Sequence, residues 1–356
     1  MHASTPWAEY VLTSTQEVEQ TALQLWDLGN ALYDPLRGST GHWRLPKCYR
    51  RDSGPESSLG LTGDATDASV LLMEDLGDVQ DIMSHIQNNA AAPHLPPNLE
   101  AQILAAGEIL GISLARLHSQ YNLSRIANYF STQAIFSQSL TNHLVWGAML
   151  DSLPEYLSTF ADGKELFLRV EEDFKFPKYS YPRVLSHGDF HTGNVLMPSP
   201  NSGSVIPIVI DWEFAHLGRG INDDASKFTA SIHCILIDAR RDGCGASLVT
   251  LLRRLISGFC SGYRTTAQQR WDAKNAEDKN LLLLRSAMLF HGTEMIVFAS
   301  EFMSESLALQ EMLSIGVWYL RNACADAEAF ASQDLAKLAL EEDESIINSL
   351  FSNEIC

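Results

Sequence analysis

His187, Asp189, Asn194 and Asp211 are the residues of this chain whose types and spacing can do chemistry. They fall in V-L-S-H-G-D-F-H-T-G-N-V-L-M, residues 184–197, which a turn rich in Pro, Ser, Gly and Asn joins to I-V-I-D-W-E, residues 208–213. A carboxamide at Asn194 and a carboxylate at Asp211 are hard oxygen ligands of the kind Mg²⁺ takes, and Mg²⁺ is bound mainly through substrate phosphates and water. Asp189 is then a free carboxylate beside the metal. In phosphoryl transfer the protein has little covalent work to do beyond holding the metal and aiming a hydroxyl at the phosphorus.

These residues must be positioned by short apolar runs. Val184-Leu185, Val195-Leu196-Met197 and Ile208 to Ile210 read as β-segments around turns. If the last two pair as a hairpin, Asn194 and Asp211 come to one mouth of it. The spacing of His187, Asp189 and Asn194 is also that of the catalytic loop of protein kinases. Two other readings of the loop stand beside this one. His187, Asp189 and His191 alternate as H-x-D-x-H, a pattern that suits zinc or iron on a strand but leaves Asn194 and Asp211 unused. A plain surface turn, its polar residues satisfying backbone groups, is the other.

The segment H-G-D-F-H-T-G-N followed by I-D-W-E resembles the signature of the aminoglycoside phosphotransferase and choline kinase group, small-molecule kinases with a protein-kinase-like fold. The resemblance implies an α+β, two-lobed fold with a truncated small lobe at residues 1–73 and a mainly helical large lobe at residues 74–356. It implies ATP and Mg²⁺ as cofactors and a hydroxyl of a small molecule as acceptor. Asp189 would be the catalytic base, His187 would brace the loop, and Asn194 and Asp211 would ligate Mg²⁺. Glu213 shares a face with Asp211 if the strand continues, so it is a further candidate for the metal or its waters. P-K-C-Y followed by L-L-M-E-D-L-G is similar to the ecdysteroid-kinase-like branch of the group. Backbone groups near Met73, Glu74 and Leu76 would there meet the adenine. An aspartate that steadies the catalytic loop in the family has its best match in Asp224.

Around these segments, Thr15 to Leu32 has near-helical apolar spacing, with Glu17 and Glu19 as candidates for the helix glutamate of a small lobe. Met1 to Pro46 contains no lysine and Gly29 is the first glycine, so neither the strand lysine nor the phosphate-covering hairpin of a kinase precedes that helix. Lys47 follows it and is in the wrong order to serve. A kinase-like protein that has lost activity and binds a small molecule or partner is therefore the alternative function. L-P-K-C-Y-R-R reads as a strand, Arg51 to Ser69 as an exposed loop, and S-V-L-L-M as a second strand.

Asn98 opens a long amphipathic helix closed by His118, an imidazole placed to suit the helix dipole and given no catalytic role. Residues 120–180 show no sharp motif. Asn222 or Asp223 can cap a following helix, and Leu248 to Tyr263, Leu281 to Phe302 and Leu307 to Ala331 read as helices. Leu281 to Phe302 is interrupted by Arg285, His291, Glu294 and Glu301, too polar for a membrane span and suited to a buried helix.

The 356 residues, 46% apolar and 19% charged, describe a globular chain long enough for two lobes. A formal charge of −19, from 25 basic and 44 acidic residues, argues against nucleic acid and suits a cationic acceptor. Six scattered cysteines with no C-x-x-C pair, and no basic and apolar leader, point to reduced thiols in the cytoplasm.

Overall fold

The computed structural model describes residues 43–46, 48–54, 68–92, 95–119, 147–175, 184–199, 204–220, 223–241, 245–267 and 279–324, with residues 346 and 350. The expected helix over Thr15–Leu32, with Glu17 and Glu19, lies outside them, as does Lys47.

Two strands, β1 (Cys48–Gly54) and β2 (Ala68–Met73), pair antiparallel, with Gly54 opposite Ala68 and Cys48 opposite Met73. The ends of the tract expected to be an exposed loop, Arg51 to Gly54 and Ala68-Ser69, are therefore strand. Ladder bonds are made by the backbone, so a polar sequence can extend a hairpin that the apolar run beside it has started. The chain then runs through Glu74 and Leu76 into β3 (Val79–Asp81) and α1 (Ile82–Ala90), whose N-cap Asp81 accepts from the Ser84 amide at 2.8 Å.

The helical part begins with α2 (Leu99–Leu117), where Leu99, Ile103, Ala106, Leu110, Leu114 and Leu117 are all buried along one face. It is followed by α3 (Ala148–Leu157) and α4 (Gly163–Lys175). The last two went unread in the sequence because Pro154 breaks the pattern of the first and acids dilute the second. Its buried Leu166, Val170 and Phe174 nonetheless keep a four-residue spacing.

Next come β4 (Val184–Ser186), β5 (Val195–Pro198), β6 (Ile208–Val209) and β7 (His216–Gly218). β5 lies between β3 and β6, and β4 pairs with β7, all antiparallel. Four helices complete the lobe: α5 (Asp224–Arg241), α6 (Gly245–Ala267), α7 (Lys279–Phe302) and α8 (Leu309–Cys324). Among the described residues no helix is long and apolar enough to cross a membrane.

The α2–α6 contact is made by glycines. A Cβ on Gly107 or Gly111 would overlap the carbonyls of Leu255 or Phe259, and one on Gly258 or Gly262 would strike the carbonyls of Leu104 or Glu108. Removing side chains at these crossings lets the two backbones touch. From α6 an aromatic stack, Phe259 to Phe228 at 4.7 Å and Phe228 to Phe190 at 5.0 Å, reaches the polar loop itself. Trp43 continues the stack at 5.5 Å from Phe190, and its amide donates to Ser113 Oγ at 3.0 Å.

Candidate active site

The loop that follows β4 owes its shape to two small requirements. Gly188 has φ +86°, and a Cβ there would collide with the Phe214 carbonyl. Any other residue would meet both the left-handed penalty and that overlap. Phe190 is fully buried in the aromatic stack, which anchors the loop between Asp189 and His191.

His187 is also wholly buried. Its Nε2 donates to the Ile210 carbonyl at 2.9 Å and its Nδ1 accepts from the Asp189 amide at 3.3 Å. Burial holds the imidazole below its ordinary pKa, so it is neutral, with one donor and one acceptor both used. His191 is similarly committed: Nδ1 accepts from the Gly193 amide at 3.0 Å and Nε2 lies 3.4 Å from Asp189 Oδ2. The transition-metal reading of His187, Asp189 and His191 fails on these bonds, because neither ring has a lone pair to give. Among the described residues no group of three or more His, Cys, Asp and Glu is placed to hold a metal.

Asn194 ends a short 3₁₀ turn, Thr192–Asn194, that leads into β5. The expected hairpin forms: Val195 pairs with Val209 and Leu196 with Ile208, and the Ile210 amide donates to the Asn194 carbonyl at 3.0 Å. Asn194 Nδ2 donates to the Asp189 carbonyl at 2.9 Å and lies 3.4 Å from Asp189 Oδ2. That fixes the amide so that Oδ1 is turned from Asp189 and keeps its lone pairs.

Asp211 stands one residue past the hairpin pair, in the left-handed region with φ 63°. Such a backbone costs a non-glycine residue about 1–3 kcal/mol and is kept where the surroundings over-determine it. Among the described residues no hydrogen bond or ion pair engages its carboxylate. Burial and the nearby Asp189 push its pKa up. Two carboxylates and a carboxamide oxygen thus meet at one mouth of the hairpin, an arrangement that a hard cation would relieve.

Glu213 does not share a strand face with Asp211. β6 ends at Val209, and residues 212–214 form a 3₁₀ turn after the left-handed step, so alternation of sides stops there. Of the three residues expected at the hinge, Met73 ends β2, while Glu74 and Leu76 are half-buried in the link to β3. The Glu74 carboxylate is paired with Arg44. The Arg44 amide donates to the Pro207 carbonyl at 2.8 Å, which ties this link to the end of the hairpin.

Behind the loop lies Asp224, 1% exposed at the start of α5. Its Oδ2 accepts from the His187 amide at 2.7 Å and its Oδ1 from the Gly188 amide at 2.9 Å. Asp224 is therefore the residue that steadies the loop, as expected. The surprise is His118, whose Nε2 reaches Asp224 Oδ2 at 3.1 Å while Nδ1 pairs with the Tyr263 hydroxyl at 2.8 Å. A histidine read as a helix-end residue is thus a buried strut running from α6 to the loop. Burial opposes charge on Asp224, yet His118 and the loop amides hold its pKa below the ordinary value. Its neighbour Asp223 is equally buried, and burial followed by the Asp224 charge pushes its pKa well up. Neither acid is solvated.

Sequence reasoning missed Lys227. From the first turn of α5 its Nζ lies 2.7 Å from Asp189 Oδ1 and 3.7 Å from Glu294 Oε1, on α7. Burial works against the ammonium, but Glu294 and Asp189 raise its pKa above that of an ordinary lysine. Asp189 is half-buried, which alone would raise its pKa; Lys227 and His191 reverse this and hold it well below the carboxylate range. One signal for the cluster was in the sequence: an acid inside a helix otherwise suited to burial must have a partner.

The site thus gathers a neutral, buried histidine, an aspartate and an asparagine on one braced loop, with a second aspartate across a hairpin. Residues 68–226 match the model of the phosphotransferase enzyme family, APH. The described residues form an α+β arrangement, short antiparallel strands followed by a mainly helical part. No curated protein sequence matches the chain. Among solved structures, a glucosamine kinase (crystal form B) is 16% identical, covering 86% of this chain and 69% of its own, with a TM-score of 0.46. The GDP and kanamycin complex of an APH(2") enzyme is 17% identical over 87% of this chain and 84% of its own, TM-score 0.37. A Plasmodium vivax ethanolamine kinase is 14% identical over 87% and 73%, TM-score 0.39.

Proposed function

We propose that the chain transfers the terminal phosphoryl group of ATP to a hydroxyl of a small molecule. The observation that supports this most directly is the meeting of Asp189, Asn194 and Asp211 at the hairpin mouth. Asn194 Oδ1 and the Asp211 carboxylate would hold Mg²⁺, which when bound neutralises charge on the nucleotide phosphates. Glu213 is a further candidate for the waters of that ion, and backbone groups at Met73, Glu74 and Leu76 for the adenine. The reading takes residues 1–73 as small lobe and the rest as large lobe.

Asp189 receives the acceptor hydroxyl. The new oxygen–phosphorus bond forms as the bond from the γ-phosphorus to the bridging oxygen breaks, and that electron pair leaves with ADP. The acceptor proton passes to Asp189. A carboxylate held so far below its usual pKa is a weak base, and this fits a loose transition state, in which the hydroxyl must be aimed well before its proton need leave. His187 acts through the backbone, because its ring bonds fix the Asp189 amide and the end of the hairpin. A net charge of −19 favours a cationic acceptor. Cys234 and Cys260, free and buried, are in keeping with a reducing cytoplasm.

Two measurements test the reading. Mg²⁺-ATP, at a concentration about 100 times its Kd, stabilises a binding-competent protein by about 2.7 kcal/mol, a readily measured rise in melting temperature. Asp189→Asn should keep that rise and lose phosphorylation of every acceptor the wild type uses. Absence of the rise at millimolar nucleotide would favour the catalytically impaired alternative, and equal turnover by the variant would remove Asp189 from the chemistry.

A further inference from the structure

The oxygens of Asp189 are unequally occupied. Oδ2 faces two donors, Asn194 Nδ2 and His191 Nε2, each at 3.4 Å. Among the described residues Oδ1 meets Lys227 alone, at 2.7 Å. A hydroxyl approaching Asp189 therefore meets Oδ1, the side on which Lys227 already stands. Two groups hydrogen-bonded to one carboxylate oxygen lie about 3–5 Å apart, so the ammonium would sit within reach of the acceptor oxygen and of the phosphorus it attacks.

The placement of Glu294 gives this contact a second feature. An ammonium paired only with Asp189 would be committed to it. Here a second carboxylate lies 3.7 Å away, from a different helix, so the ammonium is shared between two acids. It carries three donors; Asp189 takes one at 2.7 Å, and Glu294, at 3.7 Å, attracts the charge without taking a hydrogen bond. When a hydroxyl takes its place on Asp189 Oδ1, Glu294 can keep Lys227 from being pulled away or expelled.

We propose that Lys227, steered by Glu294, is a catalytic residue of this chain that presents its ammonium to the phosphoryl group in transit while holding Asp189 by Oδ1. The proposal rests on the phosphotransfer reading above and adds a cation from α5 to it. A charge aimed at oxygens whose negative charge is redistributed in the transition state acts on turnover more than on nucleotide binding. A buried ion pair that only neutralises two acids would instead act on stability and leave the kinetic constants of the folded enzyme alone.

The test uses the full chain with Mg²⁺-ATP, first with water as acceptor and then with a panel of small alcohols and amino alcohols, measuring ADP release. Lys227→Met is expected to lower kcat by about 10²–10³-fold, the loss typical of one preorganised donor, with KM for ATP held within about threefold. Lys227→Arg, which keeps the charge, is expected to recover at least about tenfold of that loss. Melting temperatures of both variants show that folded protein is compared. Lys227→Met with wild-type kcat overturns the proposal, as does a folded Lys227→Arg no better than Lys227→Met. A change confined to KM overturns it too. Wild-type protein that releases no ADP under any of these conditions overturns the phosphotransfer reading itself, and this proposal with it. Turnover by the wild type with unaffected variants overturns this proposal only.

Discussion

Asp224→Asn changes one atom type in a place where both carboxylate oxygens are used. The carboxylate accepts from the His187 amide at 2.7 Å through one oxygen and from the Gly188 amide at 2.9 Å through the other. A carboxamide has one acceptor oxygen, so one of the two amides must face an NH₂ group and go unpaired. A buried donor left without a partner costs about 1–3 kcal/mol. The surviving bonds, including the one from His118 at 3.1 Å, lose their charge assistance, adding about 1–2 kcal/mol. The variant should therefore be less stable by about 2–5 kcal/mol. Urea unfolding followed by tryptophan fluorescence reads this as a fall in the midpoint at unchanged slope. The same displacement moves the loop that carries Asp189, and a shift of about 1 Å lowers turnover about 10²-fold. A loss below about 1 kcal/mol would mean that the loop does not depend on Asp224, and the account of how Asp189 is positioned would be wrong.

Other expectations follow from the packing and from buried histidines. In Gly262→Ala the new methyl would lie 2.5 Å from the Glu108 carbonyl, and in Gly111→Ala it would overlap that of Phe259, so each should cost about 1–3 kcal/mol. Calorimetry should show a lower melting temperature for both; an unchanged value would mean that the helices are not in backbone contact. His291 is wholly buried, with Nε2 3.2 Å from His233 Nδ1 and Nδ1 near Thr229 Oγ1 and the Ser226 carbonyl, beneath the Tyr319 ring. Burial and His233 hold its pKa well below 6.5. The unfolded chain then binds the proton more readily, so this contribution to stability is complete above about pH 6.5 and drains away as pH falls below it. The melting temperature should drop between about pH 6.5 and 5, and His291→Gln should flatten that slope; an equal slope in the variant would contradict the assignment.

Much of the site could be read along the chain because its geometry is local. Asp189 and Asn194 lie in one turn, and the β5–β6 hairpin that brings Asp211 to them is specified by apolar runs around a Pro- and Gly-rich turn. Helices α2, α6 and α7 were legible for the same reason, since a buried face leaves a period in the sequence. Residues in α3 and β3 left no such period, and Glu213 was misplaced because nothing in I-V-I-D-W-E announces the left-handed step at Asp211. The roles of His118 and Lys227 belong to the tertiary structure alone. A histidine at a helix end and a lysine in a first turn have ordinary local explanations, and their partners lie on other elements, in the case of His118 and Asp224 106 positions along the chain. The sequence by itself determined the chemistry available to the loop, because residue type and short spacing survive in any fold. Which charges surround that loop was decided only when α5, α6 and α7 packed against it, because distance in space between separate helices is not encoded in any local pattern.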